Sequence, residues 1–196
     1  MIINKNNPSP LGRPGGAEVT IHPPATVANV VCGFDILGFA LESPCDKMVL
    51  RLVNGKGVKI INKDNYKLPV EPEKNVIGMA LLALLKEVNE DIGIEVESTK
   101  MIKPGSGIGS SAASAAGAVV GANHLLKTRF TNEQLVEFAM CGEEVASGSK
   151  HADNIAPCIY GGITLIRSLH PLDIVTIPAP KLYVTVLHPQ IEVKTS

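Results

Sequence analysis

The residues with the clearest chemical use lie between positions 103 and 113: Lys103, Pro104, Gly105, Ser106, Gly107, Ile108, Gly109, Ser110, Ser111, Ala112 and Ala113. Glycines at every second position let a backbone turn its N–H groups inward. The small-residue stretch that follows reads as a helix, and its N-terminus adds a partial positive charge. Together they make a cradle for an anion, with Ser110 and Ser111 placed to cap the helix or to touch a phosphate or its metal. Two common nucleotide loops fail the spacing. A Walker A loop counted from Gly105 meets Ser110 where its second glycine belongs, and no lysine follows. The dinucleotide fingerprint counted from Gly105 also meets Ser110 in place of its third glycine. The alternative is a flexible loop that caps a small-residue helix.

Other polar residues gain meaning only through their neighbours. Glu143 taken by itself reads as a solvated helix charge like Glu144 beside it, with a ligand as the alternative. Asp153-Asn154 is either a turn or a carboxylate with an adjacent amide, and Asn29 and Asp35 are either ligands or loop residues bonding their own backbone. His151 is expected to make an ordering hydrogen bond. Ser147-Gly148-Ser149-Lys150 fits S-x-x-K, but the companion S-D-N and K-T-G are missing. None of Cys32, Cys45, Cys141 and Cys158 forms a C-x-x-C pair, which argues against a zinc ribbon or thioredoxin-type site and for reduced thiols in a cytoplasmic protein. A net charge of −1 and the absence of Trp leave no footprint for nucleic acid. The longest apolar runs fall far short of the roughly 20 residues of a membrane span.

These groups must be carried by a small set of elements. Val49 to Val53 and Val58 to Ile61 read as strands, separated by the turn residues Asn54-Gly55-Lys56-Gly57. Asn75 to Asn89 is apolar for most of its circumference and predicts a buried helix, and Ile94 to Glu97 alternates as a strand does. A helix is expected from Ser110. Another should open at Thr131, with Gln134 completing a capping box, and run to about Val145. Ile159 to Ile166 and Leu182 to Leu187 read as strands. The order gives an α+β domain over residues 18–180. Residues 1–17, polar and rich in Pro and Gly, read as a flexible extension or an appended tail outside the fold. Residues 181–196 read as the first strand of a second unit that is not completed.

The stretch Ile102 to Ala113 resembles the phosphate loop of the galactokinase–homoserine kinase–mevalonate kinase–phosphomevalonate kinase (GHMP) family. Two further segments resemble the homoserine kinase branch. They are Pro24-Ala25-Thr26-Val27-Ala28-Asn29 with Gly33-Phe34-Asp35-Ile36-Leu37-Gly38, and Glu143 with Ser147-Gly148-Ser149, His151-Ala152-Asp153-Asn154-Ile155-Ala156-Pro157 and Gly161-Gly162. The resemblance implies a ribosomal-protein-S5-domain-2-like N-terminal domain, with the C-terminal ferredoxin-like domain largely absent. It implies ATP and Mg²⁺ as cofactors and phosphorylation of the L-homoserine hydroxyl, a step toward threonine. Residues 103–113 then wrap the phosphates, Asn75 and Lys100 line the nucleotide pocket, and Ser111 and Glu143 hold Mg²⁺. Asn29, Asp35, Asn154 and Thr195 contact the amino acid. Asp153 lies near the reacting hydroxyl, as an orienting group first and a base second. Family members are longer, so this chain alone is expected to be impaired as a kinase. The alternatives are another small-molecule kinase of the family or a non-catalytic binding module. A homodimer is left open, and neither nucleic acid nor membrane is expected as a partner.

Overall fold

The computed structural model describes residues 1–4, 17–28, 30–88, 91–128 and 130–187. Apolar strands build a five-stranded sheet in the order β1 (Ile2–Asn4), β2 (Glu18–His22), β5 (Lys47–Val53), β7 (Gly93–Thr99) and β6 (Gly57–Asn62). The turn at Asn54–Lys56 does not pair its own flanking strands. β7 lies between them, antiparallel to β5 and parallel to β6. The parallel pair is joined by helix α1 (Val76–Val88), the crossover that a parallel pair requires. A second sheet has the order β3 (Pro24–Val27), β4 (Leu37–Cys45), β8 (Ile163–Leu169) and β9 (Leu172–Ile177).

Helix α2 (Ser110–Leu125) occupies the centre, with 13 of its 16 residues buried. Its Ala, Ser and Gly side chains are short on every side, so β2, β5, α1, α3 (Asn132–Ser147) and α4 (Ile155–Tyr160) can all approach it. Ile21, Met48, Leu50, Leu81, Leu84, Ile94 and Val96 fill the space around it. The consequence for function is that the end of α2 that meets the glycine loop is held by the core of the domain. α3 opens with the expected reciprocal capping box between Thr131 and Gln134.

Three readings of the sequence need correction. Ile159 and Tyr160 end helix α4, and the strand starts only at Ile163, after Gly161 and Gly162. Pro157 sits comfortably in a first helical turn, and burial of α4 against α2 outweighs the β preference of Ile159 and Tyr160. Residues 181–187 form no strand. Leu182, Tyr183 and Leu187 are exposed there, and an alternating pattern without a ladder partner stays irregular. Ile2–Asn4 is not outside the fold, because it pairs antiparallel with β2. β9, which the sequence reading passed over, completes the second sheet.

Candidate active site

The glycine loop leaves β7 at Lys100–Ile102 and enters α2 at Ser110. Gly105, Gly107 and Gly109 hold φ of +72°, +77° and +68°, left-handed values that turn successive amides toward one side. Gly109 precedes the helix without a side-chain cap, so the first amides of a 16-residue helix remain available to an anion. Ser106 Oγ is buried and has no hydrogen-bond partner among the described residues. The two ends of the loop are tied together. Ser110 Oγ donates to the Ile102 carbonyl at 2.8 Å. Lys100 Nζ, 2% exposed, donates to Ser110 O at 2.8 Å and to Ser114 Oγ at 2.9 Å, and pairs with Asp46. Asp46 Oδ1 in turn accepts from the amides of Met101 and Ile102 at 2.7 and 2.8 Å. Burial pulls the Lys100 ammonium below the ordinary lysine range, against the opposing charge of Asp46.

Lys100 was expected to line the nucleotide pocket; the contacts given above for its ammonium are internal, to Asp46, Ser110 and Ser114, and they tie the two ends of the loop together. Asn75 is also committed internally. Its Oδ1 accepts from Ile77 N at 2.8 Å, which caps α1, and its Nδ2 donates to Pro69 O. Unlike Lys100, it still borders a cavity of about 190 Å³, shared with Asn62, Leu68, Pro69 and Ser98. Lys103 is exposed at the mouth of the loop.

Ser111, in the first turn of α2, donates through Oγ to Glu143 Oε1 at 2.9 Å. Glu143 comes from α3, and Gly142 lets α3 lie close to α1, since a Cβ there would stand 2.3 Å from Val76 O. Burial holds the Glu143 carboxyl above its usual range, the Ser111 hydrogen bond opposes this, and the charge of Asp153 adds to it. Asp153 lies in the turn before α4, 4% exposed, with its Oδ1 accepting from Asn154 N at 3.0 Å. Gly38 of β4 fits directly beneath: a Cβ there would stand 1.9 Å from Asp153 O. Asp35 and His151 act electrostatically on Asp153, so the structure brings Asp35, Glu143, His151 and Asp153 into one cluster.

Burial raises the Asp153 carboxyl above the ordinary aspartate range, and the Asn154 amide opposes it. A carboxyl raised in the folded state costs stability as pH rises past its unfolded pKa, and the full penalty is reached above its folded pKa, because the unfolded chain ionises it more easily. At pH below about 3.9 both states hold the proton and the penalty vanishes. Asp153→Asn keeps the acceptor for Asn154 N. It is therefore expected to melt at a higher temperature than the parent near neutral pH, with the gain shrinking as pH falls toward about 4. Equal melting temperatures at neutral pH would show that the buried charge carries no penalty.

On the other side of Asp153, Asp35 adopts φ +61° in the turn that follows Val31–Gly33. Its carboxylate is about half exposed and stands 4.0 Å from His151 Nδ1. His151 Nε2 is 2.7 Å from Ser149 Oγ, the ordering role expected of this histidine. Asn154 Oδ1 accepts from Thr26 Oγ1 at 2.9 Å. Asn29 and Thr195 lie outside the described residues.

A family profile described as the GHMP kinases N terminal domain matches residues 75–162, the span that runs from Asn75 through the glycine loop to Gly161-Gly162. The chain carries a GHMP kinase N-terminal domain. A homoserine kinase of Chlorobium phaeobacteroides is 44% identical over 185 residues, covering 88% of this chain and 58% of the relative. The crystal structure of homoserine kinase from Cytophaga hutchinsonii superposes with a TM-score of 0.80 at 46% identity, covering 90% of this chain and 55% of that one. The mevalonate kinase of Methanococcus jannaschii, at TM-score 0.64 and 15% identity over 82% of this chain and 56% of that one, shares the fold. The GHMP kinase domain described here thus spans less than two thirds of the length of the relatives it matches.

Three residues of this GHMP kinase domain escaped the sequence reading as parts of the site. Asp46 carried one local signal, a lone acid at the start of the apolar strand β5. Thr26 and Gly38 stood inside the family motifs without a role, because their contacts span 128 and 115 positions of sequence, the latter from Gly38 to Asp153 (153 − 38).

Proposed function

We propose that this chain supplies the nucleotide side, and part of the acceptor side, of an ATP-dependent homoserine kinase. The reaction moves the γ-phosphoryl group of ATP to the hydroxyl of L-homoserine and yields O-phospho-L-homoserine. The observation that carries this reading is the Ser111–Glu143 hydrogen bond of 2.9 Å, at the point where the glycine loop becomes helix α2. It places one hydroxyl and one buried carboxylate beside the amides that would bind phosphate. These hard oxygen donors fit Mg²⁺, and Ser111 and Glu143 would hold it; bound there, the ion would neutralise charge between the β- and γ-phosphates.

The protein's own groups then divide the work. The amides of residues 105–111 bind phosphate oxygens, and the cavity beside Asn75 suits a flat base. Asp153 orients the acceptor hydroxyl; a loose transition state asks little proton abstraction of it. Asp35, partly open to solvent, offers its carboxylate to the substrate ammonium. That pairing favours an amino acid over mevalonate or a sugar, neither of which carries an ammonium. We place the protein in the cytoplasm, on the strength of four free cysteines.

The test is Mg·ATP-dependent phosphorylation of L-homoserine with detection of O-phosphohomoserine by mass. The 196-residue chain runs beside any longer product of its reading frame, with mevalonate, galactose and L-serine as controls. Product from homoserine and from none of the controls is expected, with the 196-residue chain by itself slow or inactive. Product from another alcohol would move the reading elsewhere in the family. No product from either protein, with both folded and binding ATP, would sink it.

A further inference from the structure

Thr26 is fully buried in β3, yet it reaches two parts of the site, Asn154 and the glycine loop. Its Oγ1 donates to Asn154 Oδ1 at 2.9 Å. Its amide donates to the carbonyl of Ile108 in the glycine loop at 3.2 Å. Gly109 packs so closely on it that a Cβ there would stand 2.1 Å from Thr26 Oγ1 and 3.0 Å from Asn154 Oδ1. The geometry points to Thr26 as a positioning residue that fixes Asn154 as a hydrogen-bond donor toward the reacting groups and sets its distance from the phosphate-binding loop.

The argument is one of donor and acceptor counting. A side-chain amide has one carbonyl and one NH₂ group. With its carbonyl taken by Thr26, Asn154 presents Nδ2 to a ligand. A donor at that place meets a lone pair, either of the acceptor hydroxyl or of an oxygen on the moving phosphoryl group, and it cannot take up a proton. Proton acceptance therefore stays with Asp153, whose neighbouring amide holds its Oδ1. Valine would fill the same volume in β3. The buried hydroxyl is favourable there only because Asn154 receives it. The assignment rests on the kinase reading above.

The test compares Thr26→Val, Thr26→Ser, Asn154→Asp and the double variant Thr26→Val/Asn154→Asp in homoserine phosphorylation, in whichever of the 196-residue chain and the longer product of its reading frame turns over. Thr26→Val is expected to lower kcat by about 100-fold, as a small misplacement near the reacting atoms does. Its KM for ATP should stay within about threefold of the parent's, because the affected group acts on the acceptor side. Thr26→Ser, which keeps the hydroxyl, should recover most of that loss. Because both single variants abolish the same donor, the double variant should be no worse than Asn154→Asp alone. Full kcat in Thr26→Val, or losses that multiply in the double variant, would overturn the assignment.

A second readout needs no turnover. The Asn154 side-chain amide signal in an ¹⁵N spectrum, identified by its loss in Asn154→Asp, should move in Thr26→Val and hold in Thr26→Ser. Thr26→Ala serves the same comparison if the valine variant does not fold. An unmoved signal in the hydroxyl-free variant would also overturn the assignment. If neither the 196-residue chain nor a longer product of its reading frame phosphorylates homoserine, the kinase reading fails, and the amide signal still decides whether Thr26 holds Asn154.

Discussion

Lys100→Met is expected to destabilise the protein by about 3–5 kcal/mol, the usual cost of removing one partner from a buried ion pair. For a chain of this size that corresponds to a fall of roughly 10 °C in melting temperature, readable by circular dichroism. The cause is what the methionine leaves behind. Asp46, 1% exposed, keeps a charge with no counterion, while Ser110 O and Ser114 Oγ lose their shared donor. The damage should be localised by function as well. Asp46 grips the amides of residues 101 and 102 at the start of the glycine loop, and Lys100 grips Ser110 at its end. ATP affinity should therefore fall more than a loss of stability alone would explain at temperatures where the variant is still folded. Adding Asp46→Asn should restore part of the stability, since asparagine can still accept from both amides without a stranded charge. A loss of under about 0.5 kcal/mol for Lys100→Met, the size of an ordinary surface change, would return Lys100 to the nucleotide pocket.

The contrast between Lys100 and its neighbours shows what a sequence can reveal. The glycine loop was legible because its chemistry is local: alternating glycines before a small-residue stretch specify a turn and a helix start within a dozen residues. The capping box of α3 was legible for the same reason, as Thr131 and Gln134 are three positions apart. The anchoring contacts of Lys100 were not legible because they depend on Asp46, 54 positions earlier, as well as on Ser110 and Ser114 of α2. No window of sequence contains that pair. Strands that alternate cleanly, such as β7, were found, but the strand-like residues 182–187 have no ladder to join and stay irregular. Ile159-Tyr160 failed in the opposite direction, because packing on α2 made a helix of residues with strand preference. The candidate ligands Asp35, Glu143 and Asp153 were named through family motifs. Only the fold shows that they share one electrostatic cluster, built from β4's approach to the 153–154 turn and α3's approach to α1.

Glu143→Gln should separate charge from hydrogen bonding at the proposed Mg²⁺ site. The amide oxygen can still accept from Ser111 Oγ, so the local packing survives while one negative charge is lost. Two results are expected. Turnover should fall by about 10²–10³-fold, the scale seen when one electrostatic contact to a developing charge is removed. ATP affinity measured with Mg²⁺ should drop to the value measured with chelator, so that the metal no longer improves binding. Stability should hold or rise, because burial already disfavours the ionised carboxyl. Ser111→Ala is the complementary change: it removes the hydroxyl donor and leaves the carboxylate, and should weaken the metal-dependent gain without abolishing it. If Glu143→Gln retains the full benefit of Mg²⁺ in ATP binding, then Glu143 is not a metal ligand, and the Ser111–Glu143 bond is only a tie between α2 and α3. Loss of that benefit with unchanged affinity in chelator assigns the charge to the metal. The same outcome leaves the loop amides and the N-terminus of α2 as the groups that bind phosphate directly.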